Sequence, residues 1–173
     1  MKIVNKCTLI NWNPVLEEIR DKPGLNAPLR LPIDEPEVQK MIEDLKDYPA
    51  EAIEWFNYYP GVDFNVRVVK EFSDLVNKEC VRAWISKVNP GKTAPWHWDY
   101  DDNEEAYLKK GELVRYHASI SKPSPGHVFM LGDECFYNEA QGTIHEWPNY
   151  KLYHAGANCG SEPKFQFNFL GYR

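Results

Sequence analysis

The sequence predicts an α+β fold in which N-terminal helices pack on a β-sandwich or jelly roll. Two observations carry this. Apolar residues in the first third of the chain fall at helical spacing, and from Cys80 onward the period drops to two. Runs of helix followed by runs of strand indicate segregated helix and sheet layers. The second half reads as roughly seven or eight short strands separated by Pro and Gly turns, as in a jelly roll.

Asn13-Pro14 opens the first helix. Asn13 can cap, Pro14 suits the first turn, and Glu17 and Glu18 complement the N-terminal dipole. Pro23-Gly24 ends it. A second start stands at Asp34-Glu35-Pro36, followed by Val38, Met41, Ile42 and Leu45 at helical spacing. After Pro49, the stretch from Ala50 to Tyr58 is expected as a short helix carrying Ile53, Trp55 and Phe56. Pro60-Gly61 then turns the chain.

Beyond Cys80, Val81, Ala83 and Ile85 alternate with Arg82, Trp84 and Ser86, and Asn89-Pro90-Gly91 is a turn. The polar stretch 100–112 is a loop. Leu113 to Ser121 alternates again, with Arg115 and His117 opposite Val114, Tyr116 and Ala118. Val128 to Leu131 and Glu134 to Tyr137 are short strands around Gly132-Asp133. Gly142 to Pro148 is expected to cross irregularly, and Lys151 to Ala155 to be a strand carrying His154. In the last strand, Lys164 to Leu170, three phenylalanines at 165, 167 and 169 would face the helices. Lys164, Gln166 and Asn168 would then face the interior. A polar interior face is costly unless it is wet or holds a ligand, so this strand argues for a pocket.

The 173 residues fit one domain, 1–173, with a helical support region at 1–80 and a strand core at 81–173. With 43% hydrophobic and 27% charged residues, a soluble globular protein is expected. A net charge of -6 argues against nucleic-acid backbones as partners, since those require basic patches. No apolar run approaches the roughly 18 residues of a membrane helix, so no membrane partner is expected. Met1-Lys2-Ile3-Val4-Asn5 lacks the apolar core of a signal peptide. Cys7, Cys80, Cys135 and Cys159 form no CxxC pair and read as free thiols. These features place the chain in the cytoplasm.

The chemistry centres on Pro95-Trp96-His97-Trp98-Asp99. Residues i and i+2 of a strand share a face, so His97 and Asp99 supply two thirds of a facial metal triad. His154 is the candidate third ligand. Two histidines and one carboxylate with open positions is the ligand set of non-haem Fe(II) oxygenases.

Around these ligands the sequence resembles the aspartyl/asparaginyl β-hydroxylase branch of the 2-oxoglutarate- and Fe(II)-dependent oxygenases. The resemblance runs from Arg82 to Phe169. It rests on Ser86, the Pro90-Gly91 turn and His97, then on Arg115-Tyr116-His117. Gly142, Trp147 and the run from His154 to Asn158 complete it. It implies a double-stranded β-helix, the jelly roll shared with cupins. It also implies that His97, Asp99 and His154 bind Fe(II), while Ser86, Arg115, His117 and Lys164 surround 2-oxoglutarate. Lys164 stands where the family has an arginine, and a lysine is a point charge rather than a fork. The implied reaction consumes dioxygen and 2-oxoglutarate and hydroxylates a C–H bond. The implied substrate is an amino acid, free or within a peptide.

A cupin pattern fits as well. Gly91, His97, Asp99, Glu104 and Gly111 follow the spacing of the first cupin motif, and Gly142, Pro148, His154 and Asn158 nearly follow the second. A metal-binding cupin would use His97, Asp99, Glu104 and His154 without 2-oxoglutarate. A non-catalytic jelly-roll binding module is the third alternative. Elsewhere, His127 reads as a turn residue and His145 as a solvated loop residue. Trp96 and Trp98 read as packing, and the acidic stretch from Asp101 to Glu105 as solvated surface or a lid.

Overall fold

The computed structural model describes residues 2–4, 10–21, 39–40, 43, 54–58, 66–99, 111–147 and 152–172. In chain order the strands are β1 (Lys2–Val4), β2 (Glu54–Tyr58), β3 (Glu79–Val88), β4 (Lys92–His97), β5 (Leu113–Ser119), β6 (His127–Leu131), β7 (Glu134–Tyr137), β8 (Ile144–Trp147), β9 (His154–Asn158) and β10 (Lys164–Tyr172). The helices are α1 (Asn13–Ile19) and α2 (Val66–Val76). Gln39, Lys40 and Glu43 are also helical, within the second helix expected from the sequence, whose apolar positions lie outside the described residues.

One sheet has the order β1-β8-β5-β10-β3-β2 and the other β4-β9-β6-β7, with antiparallel pairing throughout. From β3 onward the chain passes back and forth between the sheets, with β6 and β7 as a hairpin inside the second. That winding is a jelly roll, a double-stranded β-helix. A cavity lies between the two sheets.

The outer face of the larger sheet carries the main core. Ala83 and Ile85 of β3, Val114, Tyr116 and Ala118 of β5, and Phe165, Phe167 and Phe169 of β10 are buried there. They share one cluster with Trp12, Val15, Leu16 and Ile19 around α1, and with Val68 and Phe72 of α2. Phe72 sits at the centre, 4.9 Å from Phe167 and 5.1 Å from Phe169 between ring centroids. The period-two alternation of β3, β5 and β10 therefore divides apolar residues toward the helices from polar ones toward the cavity.

Local chemistry sets the helix ends. Asn13 is the first residue of α1 rather than its cap. Trp12 holds the cap position, and the Asn11 carboxamide accepts from the Asn13 backbone N–H at 3.2 Å. α1 ends at Ile19, before Pro23-Gly24, which lies outside the described residues. α2 ends in a Schellman motif. Asn77 takes φ 52°, Lys78 N–H donates to Ser73 C=O, and Asn77 N–H to Asp74 C=O. None of the described helices is long and apolar enough to cross a membrane.

Several expectations change. Glu54 to Tyr58 is a strand, not a helix, paired with β3 so that Trp55 opposes Ser86 and Asn57 opposes Trp84. β1 is also a strand, so the first 80 residues are not purely a helical support. α2 supplies Val68 and Phe72 at i and i+4, a helical signal the sequence reading passes over. Within Gly142 to Pro148, Ile144 to Trp147 is a regular strand between β1 and β5. Turn Pro60-Gly61 and most of the loop 100–112 lie outside the described residues.

Candidate metal centre

The turn into β4 depends on Gly91, whose φ of +75° favours glycine. Lys92 N–H closes it on Asn89 C=O at 3.0 Å. β4 then pairs with β9, but its register shifts between Ala94 and His97. Pro95 lies in that interval and has no N–H for the ladder, which is where an irregularity is expected. The strand ends at His97, which opposes His154 on β9. Asp99 lies just past the strand end.

His97, Asp99 and His154 meet with one ligand atom each, all within 4.8 Å of one another. Asp99 Oδ1 is 3.7 Å from His97 Nε2, and Asp99 Oδ2 is 3.4 Å from His154 Nε2. His97 Nδ1 lies 2.6 Å from the Pro95 carbonyl and His154 Nδ1 3.0 Å from the Leu152 carbonyl. A carbonyl only accepts, so both Nδ1 atoms carry the proton. Both Nε2 lone pairs are left facing the carboxylate, which is the state a metal requires.

Electrostatics acts differently on the three groups. Burial alone would raise the Asp99 carboxyl, but Arg115, His154 and His97 outweigh it and hold it well below the usual range. Arg115 Nη1 donates to Asp99 Oδ2 at 2.5 Å. Burial pushes His154 down. It opposes charging of His97 too, but there Asp99 prevails and raises the imidazole.

Beside the triad is a cavity of about 380 Å³, open to solvent, reached by Trp84, Ser86 and Val88 of β3, by His117, and by Gln166 and Asn168 of β10. Its floor is a hydrogen-bonded chain. Asn168 Nδ2 donates to Ser86 Oγ at 3.3 Å, and His117 Nδ1 donates to Asn168 Oδ1 at 3.1 Å. Gln166 Nε2 then donates to His117 Nε2 at 2.7 Å. His117 stacks on Phe129 with centroids 4.0 Å apart. Burial, then the charges of Lys164, His145 and His154, hold its pKa well below the ordinary imidazole value, so it is neutral.

Lys164 is 2% exposed and donates to the Val128 carbonyl. Among the described residues no carboxylate reaches ion-pair distance of it. Burial pushes its pKa down to about 7, against an opposing pull from Glu139. Its Nζ lies 3.3 Å from where a Cβ on Gly156 would stand. Gly156 follows His154 by two positions on β9, so the two share a strand face. The missing side chain leaves room for the lysine ammonium to pack against β9.

Structure and sequence reading differ at other positions. His145 is fully buried in β8, with Nε2 2.6 Å from Glu139 Oε1. It is not a solvated loop residue. His127 begins β6, is 8% exposed, and places Nε2 2.9 Å from the Glu162 carbonyl rather than sitting in a turn. Glu139 is absent from the sequence reading, because its partner His145 is recruited by folding rather than by spacing. Asn158 staples the strand ends. Its Nδ2 donates to the Val88 and Glu162 carbonyls, both at 2.8 Å, and its Oδ1 accepts from Gly160 N–H at 3.0 Å. Trp98 is buried as expected, whereas Trp96 is 44% exposed. Glu104, the fourth ligand of the cupin alternative, lies outside the described residues.

The sequence matches no protein-family model and no curated protein. Among solved structures, the chain is similar to a viral collagen prolyl hydroxylase from Paramecium bursaria Chlorella virus 1, solved as a 2OG complex. That match has TM-score 0.51 and 18% identity over 78% of this chain and 88% of that one. It also aligns with the cupin domain of Schizosaccharomyces pombe Cnp3, with TM-score 0.43 and 7% identity over 70% of this chain. There it spans 61% of the other chain, less than two thirds of its length. A predicted oxalate decarboxylase from Thermotoga maritima aligns with TM-score 0.43 and 9% identity, over 70% of this chain and 81% of that one. At 18% identity the likeness to the viral hydroxylase is one of fold, and it agrees with the jelly roll read from the strand order.

Proposed function

We propose that the protein is a 2-oxoglutarate- and Fe(II)-dependent dioxygenase that hydroxylates a C–H bond of an amino acid, free or in a peptide. The observation that carries this is a two-histidine, one-carboxylate cluster at an open cavity, with a buried lysine packed against Gly156 of the strand that carries His154. The donor set fits the ion. Two neutral imidazoles and one carboxylate suit divalent iron and leave positions for a chelating co-substrate.

In this reading His97, Asp99 and His154 hold the iron. Lys164 would bind the distal carboxylate of 2-oxoglutarate. A buried ammonium lacking a carboxylate partner among the described residues is costly, and an incoming carboxylate offsets that cost. The contact is charge-assisted and is shielded from bulk water by Phe129 and Val88. Ser86 and His117 shape the floor through the Asn168–Gln166 chain. The iron and co-substrate supply the oxidising chemistry, in which dioxygen and 2-oxoglutarate yield succinate, carbon dioxide and the hydroxylated product. The residues of the chain orient the co-substrate and exclude water. The viral prolyl hydroxylase, whose solved form is a 2OG complex, supports the same use of this fold. A cupin working without 2-oxoglutarate has no need of Lys164.

The test is anaerobic reconstitution with Fe(II) followed by titration with 2-oxoglutarate. A weak visible charge-transfer band from the iron–keto acid chelate is expected. Iron uptake with no band, and no succinate formed on exposure to air with any amino acid, would sink the reading.

A further inference from the structure

Arg115 holds an unexpected position. Resemblance places it on the co-substrate, yet its guanidinium is already engaged with a candidate metal ligand. Nη1 donates to Asp99 Oδ2 at 2.5 Å, and the residue is 3% exposed. Its Cζ stands 5.3 Å from the centroid of the Trp84 ring, and Trp84 lines the cavity. The indole face and the carboxylate together fix the guanidinium.

We propose that Arg115 is a positioning residue for the metal: it occupies Asp99 Oδ2 and confines Asp99 to coordination through Oδ1. This rests on the metal reading above. The geometry gives the reason. Asp99 Oδ1 is the oxygen nearer His97 Nε2; Oδ2, 3.4 Å from His154 Nε2, is the one whose closest partner is Arg115, at 2.5 Å. A carboxylate gripping a metal with both oxygens would have to release that charge-assisted bond. With Oδ2 retained, Asp99 gives one ligand atom and the protein gives three, leaving adjacent positions for a bidentate co-substrate and a further ligand. Arg115 also supplies a counter-charge that the buried carboxylate needs. Co-substrate binding is left to Lys164.

The experiment measures Co(II) affinity by calorimetry, then 2-oxoglutarate affinity at saturating Co(II), in wild type, Arg115→Met and Arg115→Lys. The Arg115→Met change is repeated in an Asp99→Asn background. Loss of such an outer partner typically weakens metal binding about 10- to 100-fold. That loss is expected in Arg115→Met, with most of it recovered in Arg115→Lys. No further loss is expected in the Asp99→Asn background, and 2-oxoglutarate affinity should be retained. A merely structural role would weaken Co(II) equally in both backgrounds, which overturns the proposal. So would unchanged Co(II) affinity with weakened 2-oxoglutarate, because Arg115 would then be a co-substrate ligand. Wild-type protein that takes up no Co(II) overturns the metal reading itself, a result distinct from either.

Discussion

His97 and His154 oppose each other across β4 and β9, with ring centroids 4.5 Å apart, and each anchors Nδ1 on the carbonyl two residues before it. The same local device, used on two strands, sets both tautomers. If these rings are ligands, removing one leaves a two-ligand site whose Co(II) affinity falls far below that of the wild type. For wild type, Co(II) at a hundred times Kd should raise stability by about 2.7 kcal/mol. His154→Ala should show no Co(II)-dependent shift in thermal unfolding. An equal shift in both proteins would place the metal elsewhere.

Lys164 is the second half of the site. A hydrogen bond to a charged group contributes about 1.5–3 kcal/mol, which is roughly 10- to 100-fold in affinity. Lys164→Met should weaken 2-oxoglutarate binding by about that factor. Metal affinity should not change. Calorimetry on the Co(II)-loaded protein reads both. Unchanged 2-oxoglutarate binding would remove Lys164 from the co-substrate.

Gly156 tests the path between them. A Cβ there would come within 3.3 Å of Lys164 Nζ, and Gly156 itself lines the cavity. Gly156→Val adds branched bulk on the cavity face of β9 while leaving all three ligands in place. We expect metal uptake to survive and 2-oxoglutarate binding to fall at least tenfold, about 1.4 kcal/mol. Unimpaired 2-oxoglutarate binding in this variant would mean that the co-substrate does not lie over β9.

The core makes a prediction independent of any ligand. Phe167 is fully buried between Trp12 and Phe72, with centroids 5.3 Å and 4.9 Å away. Truncating a buried phenylalanine costs about 3–5 kcal/mol. Phe167→Ala should therefore lower the urea midpoint sharply, whereas Asn138→Ala, at an exposed turn with φ 52°, should cost far less. Comparable losses would mean that the helices do not pack on β10 as described.

What was legible in the chain was local and periodic. The alternation Phe165, Phe167, Phe169 against Lys164, Gln166, Asn168 locates both the core and the cavity, because a strand has only two faces. His97 and Asp99 are legible as a close His–carboxylate pair, although β4 ends at His97 and the pair does not share a strand. What was not legible depends on partners distant in sequence. Glu54 to Tyr58 is too short for its own period to decide, and its strand state comes from pairing with β3. Ile144 to Trp147 is a strand because β1 and β5 flank it. His145 looks like a loop residue until β8 carries it inward opposite His117. The Arg115–Asp99 contact joins the two sheets, and no spacing rule announces it.

Lys164 also sets a pH dependence. Its pKa is about 7 in the folded protein and near 10.5 when unfolded, because burial disfavours the charged form. Between those values the unfolded chain binds a proton that the folded chain does not. Stability gains from that difference as pH rises from about 7 toward 10, by at most about 1.4 kcal/mol per pH unit for one proton. Below about pH 7 both states are charged, and the full penalty of the buried ammonium is present. Urea midpoints of the metal-free protein should therefore climb with pH across this window more steeply than those of Lys164→Met. Saturating 2-oxoglutarate with Co(II) should flatten the difference, since a bound carboxylate restores the ammonium. Parallel pH profiles for the two proteins would mean that Lys164 is charged in the folded state, with its counter-ion supplied by the chain itself.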